Sequence, residues 1–161
     1  MIHIPEFRGS IQLDTRCYVV QRREGKMIYE AEFKNLKTWA GIDFWFAQCY
    51  SSAPAANGLN WIGLSPDVAV TETINSTTLT NEFTTNSLNR AQGTFAHTAA
   101  TATCTIAYTW TESGTGVTVR KSALFSAAYP GGTMNHIVLI SPATALSAGD
   151  TLALTYTITL A

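Results

Sequence analysis

The sequence predicts a mainly β protein, an antiparallel β-sandwich or jelly-roll-like fold with one short helix after an N-terminal hairpin. The segment Thr151–Leu160 alternates, with threonine on one face and leucine, tyrosine or isoleucine on the other, as in a strand buried on one face. The segment Thr101–Thr111 repeats the pattern. Turns rich in Gly, Pro and Asn separate these segments, which is typical of antiparallel sandwiches.

Residues 1–10 are interpreted as an N-terminal arm, because Pro5 and Gly9 interrupt any regular pattern. One interpretation is an edge segment packed on its own core. The other is a segment that docks on a neighbouring subunit by strand addition through Ile2, Ile4 and Phe7. Residues 11–161 are then expected to form a single β-sandwich domain.

The first part of this domain, residues 11–50, is predicted to contain a hairpin and a helix. Alternation over 11–20 and 27–33 flanks a glycine-containing turn. Asn35 or Thr38 can then cap a helix over 39–50, apolar on most sides and therefore expected to be buried. Gly41 should weaken this helix by about 1 kcal/mol relative to alanine.

The remainder, residues 59–161, is predicted to supply the threonine-rich strands. Their expected ranges are 59–64, 89–97, 101–111, 117–125, 134–140 and 151–160. The stretch 68–88 lacks a clear period and predicts either a short helix or an extended crossing. Residues 143–149 are expected to lead into the last strand.

The charge content limits the classes of partner. Only 13% of the 161 residues are charged and the net charge is −1, so neither nucleic acid nor an anionic membrane is an expected partner. Thirteen of the 21 charges lie between Glu6 and Asp43. The rest of the chain therefore depends on Thr, Ser and Asn for its polar surface.

Catalytic and metal-binding motifs are missing from the sequence. GxSxG, HExxH, a Walker loop and GxGxxG do not occur, and the three cysteines are too widely spaced to predict a zinc site or a disulfide framework. His97 and His136 could bind a metal or act as a base with Asp150, but structural hydrogen bonding is the expected role. We therefore predict no enzyme activity, no cofactor and no metal.

Two further arrangements of side chains deserve a test in the structure. The threonine-rich part keeps four carboxylates that could include a glycosidase pair: Glu72, Glu82, Glu112 and Asp150. A sugar-stacking platform could be built from the four tryptophans, Trp39, Trp45, Trp61 and Trp110. Aromatic residues at such alternating or helical positions are more often core residues, which is our expectation here.

Several segments resemble, in the same order, small structural proteins of tailed bacteriophages. They are 32–43 (EFKNLKTWAGID), 60–65 (NWIGLS), 77–82 (TTLTNE) with 89–98 (NRAQGTFAHT), and 146–160 (LSAGDTLALTYTITL). The resemblance covers most of the chain from Met27 onward. It implies a virion component and carries no catalytic residues.

The expected function is a bacteriophage virion structural protein, most specifically a capsid decoration (cement) protein. It would bind the major capsid protein or other virion proteins and stabilise the head, and a homo-oligomer, by analogy a trimer, is expected. The alternative is a tail fibre, tip or adaptor subunit; a small glycan-binding or glycan-cleaving protein is more remote. The candidate interface residues are Ile2, Ile4, Phe7, Thr155, Thr157 and Thr159.

The sequence also predicts where the protein is made. The first residues show no signal peptide, and no apolar run is long enough to span a bilayer. We therefore expect synthesis in the host bacterial cytoplasm followed by incorporation into the virion.

Overall fold

The computed structural model describes residues 13–50, 58–69 and 73–160. These residues form two antiparallel sheets and one helix, which confirms a mainly β sandwich with a short helix after the N-terminal hairpin. A jelly-roll connectivity is not confirmed. The elements are β1 (Leu13–Arg23), β2 (Lys26–Lys34), β3 (Leu36–Lys37), α1 (Trp39–Tyr50), β4 (Trp61–Ser65), β5 (Ala91–Gln92), β6 (Thr94–His97), β7 (Thr103–Thr111), β8 (Val117–Phe125), β9 (Met134–Leu146) and β10 (Thr151–Leu160).

Each of the two sheets has five strands. The first sheet has the order β2-β1-β10-β7-β6, and the second has the order β3-β9-β8-β4-β5. All strand pairs in the described residues are antiparallel, from β1 with β10 to β8 with β9. The first and last described strands are therefore neighbours in the middle of one sheet.

Two bent strands join the sheets at their edges. Only Asn35 separates β2 in the first sheet from β3 in the second, and only Gly93 separates β5 from β6 at the opposite edge. A Cβ atom at Gly93 would lie 2.7 Å from Ile106 Cγ2, so this corner requires glycine for close packing. The sandwich is therefore closed on both sides, in the manner of a flattened barrel.

The main core lies between the sheets, and the predicted alternation explains it. In β10, Leu152, Leu154 and Tyr156 are fully buried while Ala153 and Thr155 between them face outward. The buried residues that complete this core are Cys17, Val19, Ile62, Leu64, Leu88, Ile106, Trp110, Val119, Leu124, Val138, Ile140 and Leu146. Tyr156 also donates a hydrogen bond to Ser122 Oγ at 2.8 Å, which links the two sheets through their polar atoms.

A second, smaller core covers the outer side of the second sheet. Leu79, from the segment between β4 and β5, packs there against a set of sheet residues: Ala123, Phe125, Met134, Ile137 and the half-buried Trp61. The same segment is tied to β4, since Phe83 N donates to Leu64 O at 2.8 Å and Ser65 Oγ donates to Thr80 O at 2.6 Å. The sequence predicted either a short helix or an extended crossing over residues 68–88. The described residues of this range contain no helix and cross the second sheet as an extended segment.

The helix covers another part of the same side, at β9. Thr38 caps it, because Thr38 Oγ1 accepts a hydrogen bond from Gly41 N at 3.1 Å and donates one to Met134 O at 2.6 Å. Asn135 Nδ2 donates to Gly41 O at 2.7 Å. The expectation of a helix buried on most sides is wrong at its start, since Trp39 is 53% exposed and the closest approach to the sheet is through Gly41.

We expect Gly41→Ala to destabilise the protein, although alanine is the better helix former. An added Cβ would lie 2.5 Å from Asn135 Cα, a backbone atom that cannot rotate away. The overpacking cost of about 1–3 kcal/mol should exceed the helix gain of about 1 kcal/mol. Thermal unfolding would measure the change, with Ala40→Gly as a control that alters helix propensity alone.

Strand β9 is longer than the sequence predicts. It continues through Pro142 to Leu146, so residues 143–146 belong to a strand rather than to a loop. The β8–β9 ladder is irregular between Val119 and Lys121, opposite this stretch. Proline lacks an N–H group, and an interruption in the ladder is where its absence is least costly.

Candidate functional site

The outer side of the first sheet divides into a neutral half and a charged half. The neutral half, here called the threonine face, is the outward side of β7 and β10. It consists of Thr103, Thr105, Ala107, Thr109, Thr111, Thr151, Ala153, Thr155, Thr157 and Thr159. The predicted interface residues Thr155, Thr157 and Thr159 lie on β10, the middle strand of the first sheet, and are half-exposed.

Strand register places threonines side by side across this face. Thr157 lies opposite Thr105 and Thr151 opposite Thr111, while Thr159 Oγ1 is 3.3 Å from Thr103 Oγ1. Each threonine is β-branched and holds few rotamers, so the hydroxyl groups have restricted positions. The result is a stiff, uncharged surface of hydrogen-bonding groups.

The charged half of the same sheet, on β1 and β2, carries charges of both signs, and several of them pair with each other. Arg16 pairs with Asp14 at 3.2 Å and with Glu32 at 2.9 Å. These hydrogen bonds raise the pKa of Arg16, and a hydrogen bond from Tyr18 to Glu30 raises the pKa of the Tyr18 phenol. The face therefore presents no strong field of one sign toward a partner.

In the described residues, the helix does not pack on the first sheet. Helix α1 packs on β9, and the β4–β5 segment is bonded to β4, so both cover the second sheet. Thr109 and Thr111 on the first sheet remain exposed. The second sheet keeps Leu36 and Leu139 partly exposed beside its covering elements, at 40% and 42%.

The other predicted interface residues, Ile2, Ile4 and Phe7, lie outside the described residues. The described chain begins at Leu13, which pairs with Leu160 at one end of the first sheet.

The structure separates the residues that the sequence suggested as a metal or base site. His97 is exposed on β6 of the first sheet, where its Nδ1 lies 3.0 Å from Thr103 O. His136 is buried on β9 of the second sheet, and its Nε2 lies 2.9 Å from Thr15 Oγ1. Across the described residues, no three His, Cys, Asp or Glu side chains are grouped to hold a metal ion.

His136 occupies a polar spot inside the barrel beside the bent strand at Asn35. Asn35 N donates to Thr15 O at 3.2 Å, and Thr15 is also the partner of His136. His136 Nδ1 and both polar atoms of the Asn35 side chain are buried without a hydrogen-bond partner. Burial, with the nearby positive charge of Lys37, lowers the pKa of His136 to about 3.

Asp150 is bound to a partner other than histidine. Its two oxygens accept hydrogen bonds from Arg23 Nε at 2.9 Å and from Arg23 Nη2 at 2.8 Å. Gln21 Nε2 and Ser147 N also donate to Asp150, at 3.1 and 2.9 Å. The Arg23 contact holds the pKa of Asp150 well below its usual range, which suits an ion pair closing the β9–β10 turn.

The described carboxylates of the suggested glycosidase set are each bound by other groups of the protein. Glu82 is buried and bound by Arg90, with Nε to Oε1 at 2.7 Å and Nη2 to Oε2 at 2.6 Å. Glu112 is buried at the end of β7, where it accepts from Gly114 N at 3.0 Å. Glu72 lies outside the described residues.

The tryptophans are also distributed among different environments. Trp110 is in the main core and donates from Nε1 to Asn89 O at 3.0 Å. Trp61 packs on the small outer core, whereas Trp39 is exposed at the start of α1 and Trp45 is half-buried further along it. Trp110 and Trp61 therefore cannot join the helical pair in one sugar-stacking platform.

The two described cysteines, Cys17 and Cys104, are both free. Cys17 is fully buried and burial raises the pKa of its thiol, so it serves as a core residue. Cys104, on β7, is only partly buried. Nothing about these thiols indicates redox or metal chemistry in the described residues.

The sequence did not indicate the exposed aromatic pair beside β6. Phe95 is 59% exposed, and Tyr108 on the neighbouring β7 is 37% exposed. Both lie in ranges that were predicted as strands, and only the range of Tyr108 was predicted to have an apolar face; at this edge both side chains remain exposed. The only feature of the sequence that could have indicated this exposed pair is the short, charge-free strand Thr94–His97.

Comparison with known proteins adds no family assignment. No protein-family model matches the chain, and no curated protein or solved structure matches it. Within the described part of the chain, no helix is long and apolar enough to cross a membrane.

Proposed function

We propose that this chain is a structural subunit of a bacteriophage virion that acts by binding, most specifically as a decoration protein on the head. The observation that supports it is the threonine face, a stiff and neutral half of one sheet side on which neither the helix nor the β4–β5 segment packs in the described residues, whereas both cover the outer side of the other sheet. The order of segments resembling small phage structural proteins is the second support.

The chemistry of the threonine face suits an assembly contact. A buried hydroxyl needs one hydrogen-bond partner, whereas a buried lysine or glutamate must also lose the hydration of a full charge. Threonine hydroxyls can bond a neighbour directly or through interfacial water. Many copies of such a surface can therefore be buried around a capsid shell without an opposite charge on each partner surface.

The size of the first sheet also fits. Its four long strands, spaced by about 4.8 Å and about ten residues long, give a face of roughly 600 Å². A stable protein interface buries about 800 Å² per partner. The face of this sheet therefore comes close to the area of a standard interface, with the threonine face supplying about half of it, and bound subunits would stabilise the shell by mass action.

The test is incorporation of variants into particles. The double variant Thr155→Lys with Thr157→Lys places two charges on β10 in the threonine face. We expect at least tenfold less of this protein on purified particles, because burying the charges should cost at least about 1.4 kcal/mol, which is a factor of ten in binding. The matched control is Thr77→Lys with Thr78→Lys, two exposed threonines outside the face. Melting curves of the isolated proteins check that both variants fold.

Particles that lack the protein should lose resistance to heat. Unchanged heat resistance would remove the cementing role, and normal incorporation of the Thr155/Thr157 variant would remove the threonine face as the contact. Gold-labelled antibody on intact particles separates the head from the tail, where label on tails would favour a tail subunit.

A further inference from the structure

Strand β6 is a short edge strand that carries no lysine, arginine, aspartate or glutamate against pairing. Its residues Thr94, Phe95, Ala96 and His97 are all exposed, and β7 is its only neighbour among the described strands. An edge strand offers unpaired N–H and C=O groups to an added strand. Phe95 and Tyr108 add exposed aromatic surface beside these groups.

The opposite edge of the same sheet is different. Strand β2 carries a row of charged residues, Lys26, Glu30, Glu32 and Lys34. Charged side chains on an edge strand, lysine above all, discourage pairing with another chain. Of the two edges of the first sheet, β6 is therefore the one open to strand addition.

The chain itself contains a segment of suitable chemistry. Residues 1–12, which lie outside the described part, place Ile2 and Ile4 two positions apart, the period of one face of a strand. An isoleucine opposite Phe95 would form a β-branched and aromatic cross-strand pair. Twelve residues also reach about 40 Å when extended, well beyond the width of the sheet.

The direction of β6 indicates which copy supplies the segment. Leu13, Thr103 and His97 lie at the same end of the first sheet. If residues 1–12 of the same molecule were added to its own β6, residue 12 would have to lie near His97, at the end of the sheet where Leu13 is. The added strand would then run parallel to β6. Every described pair in the sheet is antiparallel, and a second copy can add its segment in that direction.

We infer that residues 1–12 of one copy add as an antiparallel strand to the β6 edge of a second copy, with Phe95 as the apolar anchor. The contact joins copies of this chain to one another and uses a surface separate from the threonine face. It therefore does not depend on the proposed virion role, and the isolated protein suffices to test it.

The first experiment is sedimentation of the full chain and three variants. We expect the wild type to self-associate, and both Phe95→Lys and removal of residues 1–10 to weaken association at least tenfold. Met27→Lys is the matched control, because Met27 is 52% exposed, on the charged β2 edge, and should leave association unchanged. Circular dichroism confirms folding, and Ala96→Lys replaces Phe95→Lys should the latter fail to fold.

The second experiment mixes the two defective proteins. Phe95→Lys keeps its N-terminal segment, and the truncated protein keeps its β6 edge, so the mixture should form a complex that neither protein forms alone. A wild type that stays monomeric at roughly 100 µM would overturn the inference. So would a Phe95→Lys protein that associates like the wild type, or a mixture without complex. None of these results would affect particle binding through the threonine face.

Discussion

Replacing Arg90 by methionine is expected to lower the free energy of unfolding by about 3–5 kcal/mol, the usual cost of removing one partner from a buried ion pair. Arg90 and Glu82 are each 4% exposed in their side chains. Without the guanidinium, the Glu82 carboxylate would lose both of its hydrogen bonds to Arg90 in a buried position.

Arg90 also holds the cover of the second sheet in place. Its guanidinium carbon lies 3.4 Å from the centre of the Phe125 ring, and Nη1 donates to Ala127 O at 3.1 Å. One side chain therefore connects the β4–β5 segment, the end of β8 and the loop that follows it. Its loss should loosen all three together.

Denaturant titration would measure this effect, with Arg16→Met as control. Arg16 also binds carboxylates, but its side chain is 44% exposed, and exposed ion pairs contribute little to stability. We expect Glu82→Leu in the Arg90→Met background to recover part of the loss, because no unpaired charge then remains. Equal losses for the Arg16 and Arg90 variants would contradict this account.

Acid is expected to destabilise the fold through His136, beginning below about pH 6.5. The folded-state pKa of His136 is lowered to about 3 by burial, whereas an unfolded histidine titrates near 6.5. Between these values the unfolded chain binds the proton and the folded protein does not, so stability falls as pH falls. At pH 4.5 the loss should reach roughly 3 kcal/mol, about two pH units at about 1.4 kcal/mol each.

The pH dependence of unfolding in His136→Gln tests this. The variant should lose most of the slope between pH 6.5 and 4, whereas His97→Gln should keep it, because His97 is exposed. Asp150 should contribute little to this slope. Its pKa is lowered in the folded protein, so the stability that it contributes is lost mainly below the pKa of an unfolded aspartate, about 3.8. An unchanged slope in His136→Gln would show that another group carries the titration.

Alternation was enough to locate most strands and their faces. The sequence of β10 requires that Leu154 and Thr155 point in opposite directions, and the structure has them so. The range of β8 agrees with prediction, and that of β7 begins two residues later. This success depends on side chains that change polarity at every step.

The bends and the covering elements could not be predicted in the same way. Each corner of the barrel depends on one residue, Asn35 or Gly93, and a single residue carries no periodic signal. The role of Gly41 was misread because helix propensity is local, whereas its contact with Asn135 joins positions far apart in sequence. The Arg90–Glu82 ion pair could not be predicted either, because it depends on how the chain folds and not on a local pattern.

The candidate site was predicted in part. Alternation identified an outward row of threonines, but it did not specify that the helix would cover the other sheet and leave this row bare. The exposure of Phe95 likewise depends on where the second sheet ends. Covering and exposure are properties of sheet packing, which a one-dimensional pattern does not contain.

The pairing of β1 with β10 has a consequence for synthesis on the ribosome. Ten register positions join these two strands, from Leu13 with Leu160 to Arg22 with Thr151. A nascent chain lacking β10 leaves both β1 and β7 without their shared neighbour, since β10 lies between them. Folding must therefore wait until β10 has emerged, and strands with unpaired edges are prone to aggregation. A translation product that is interrupted before β10 is therefore not expected to reach this fold.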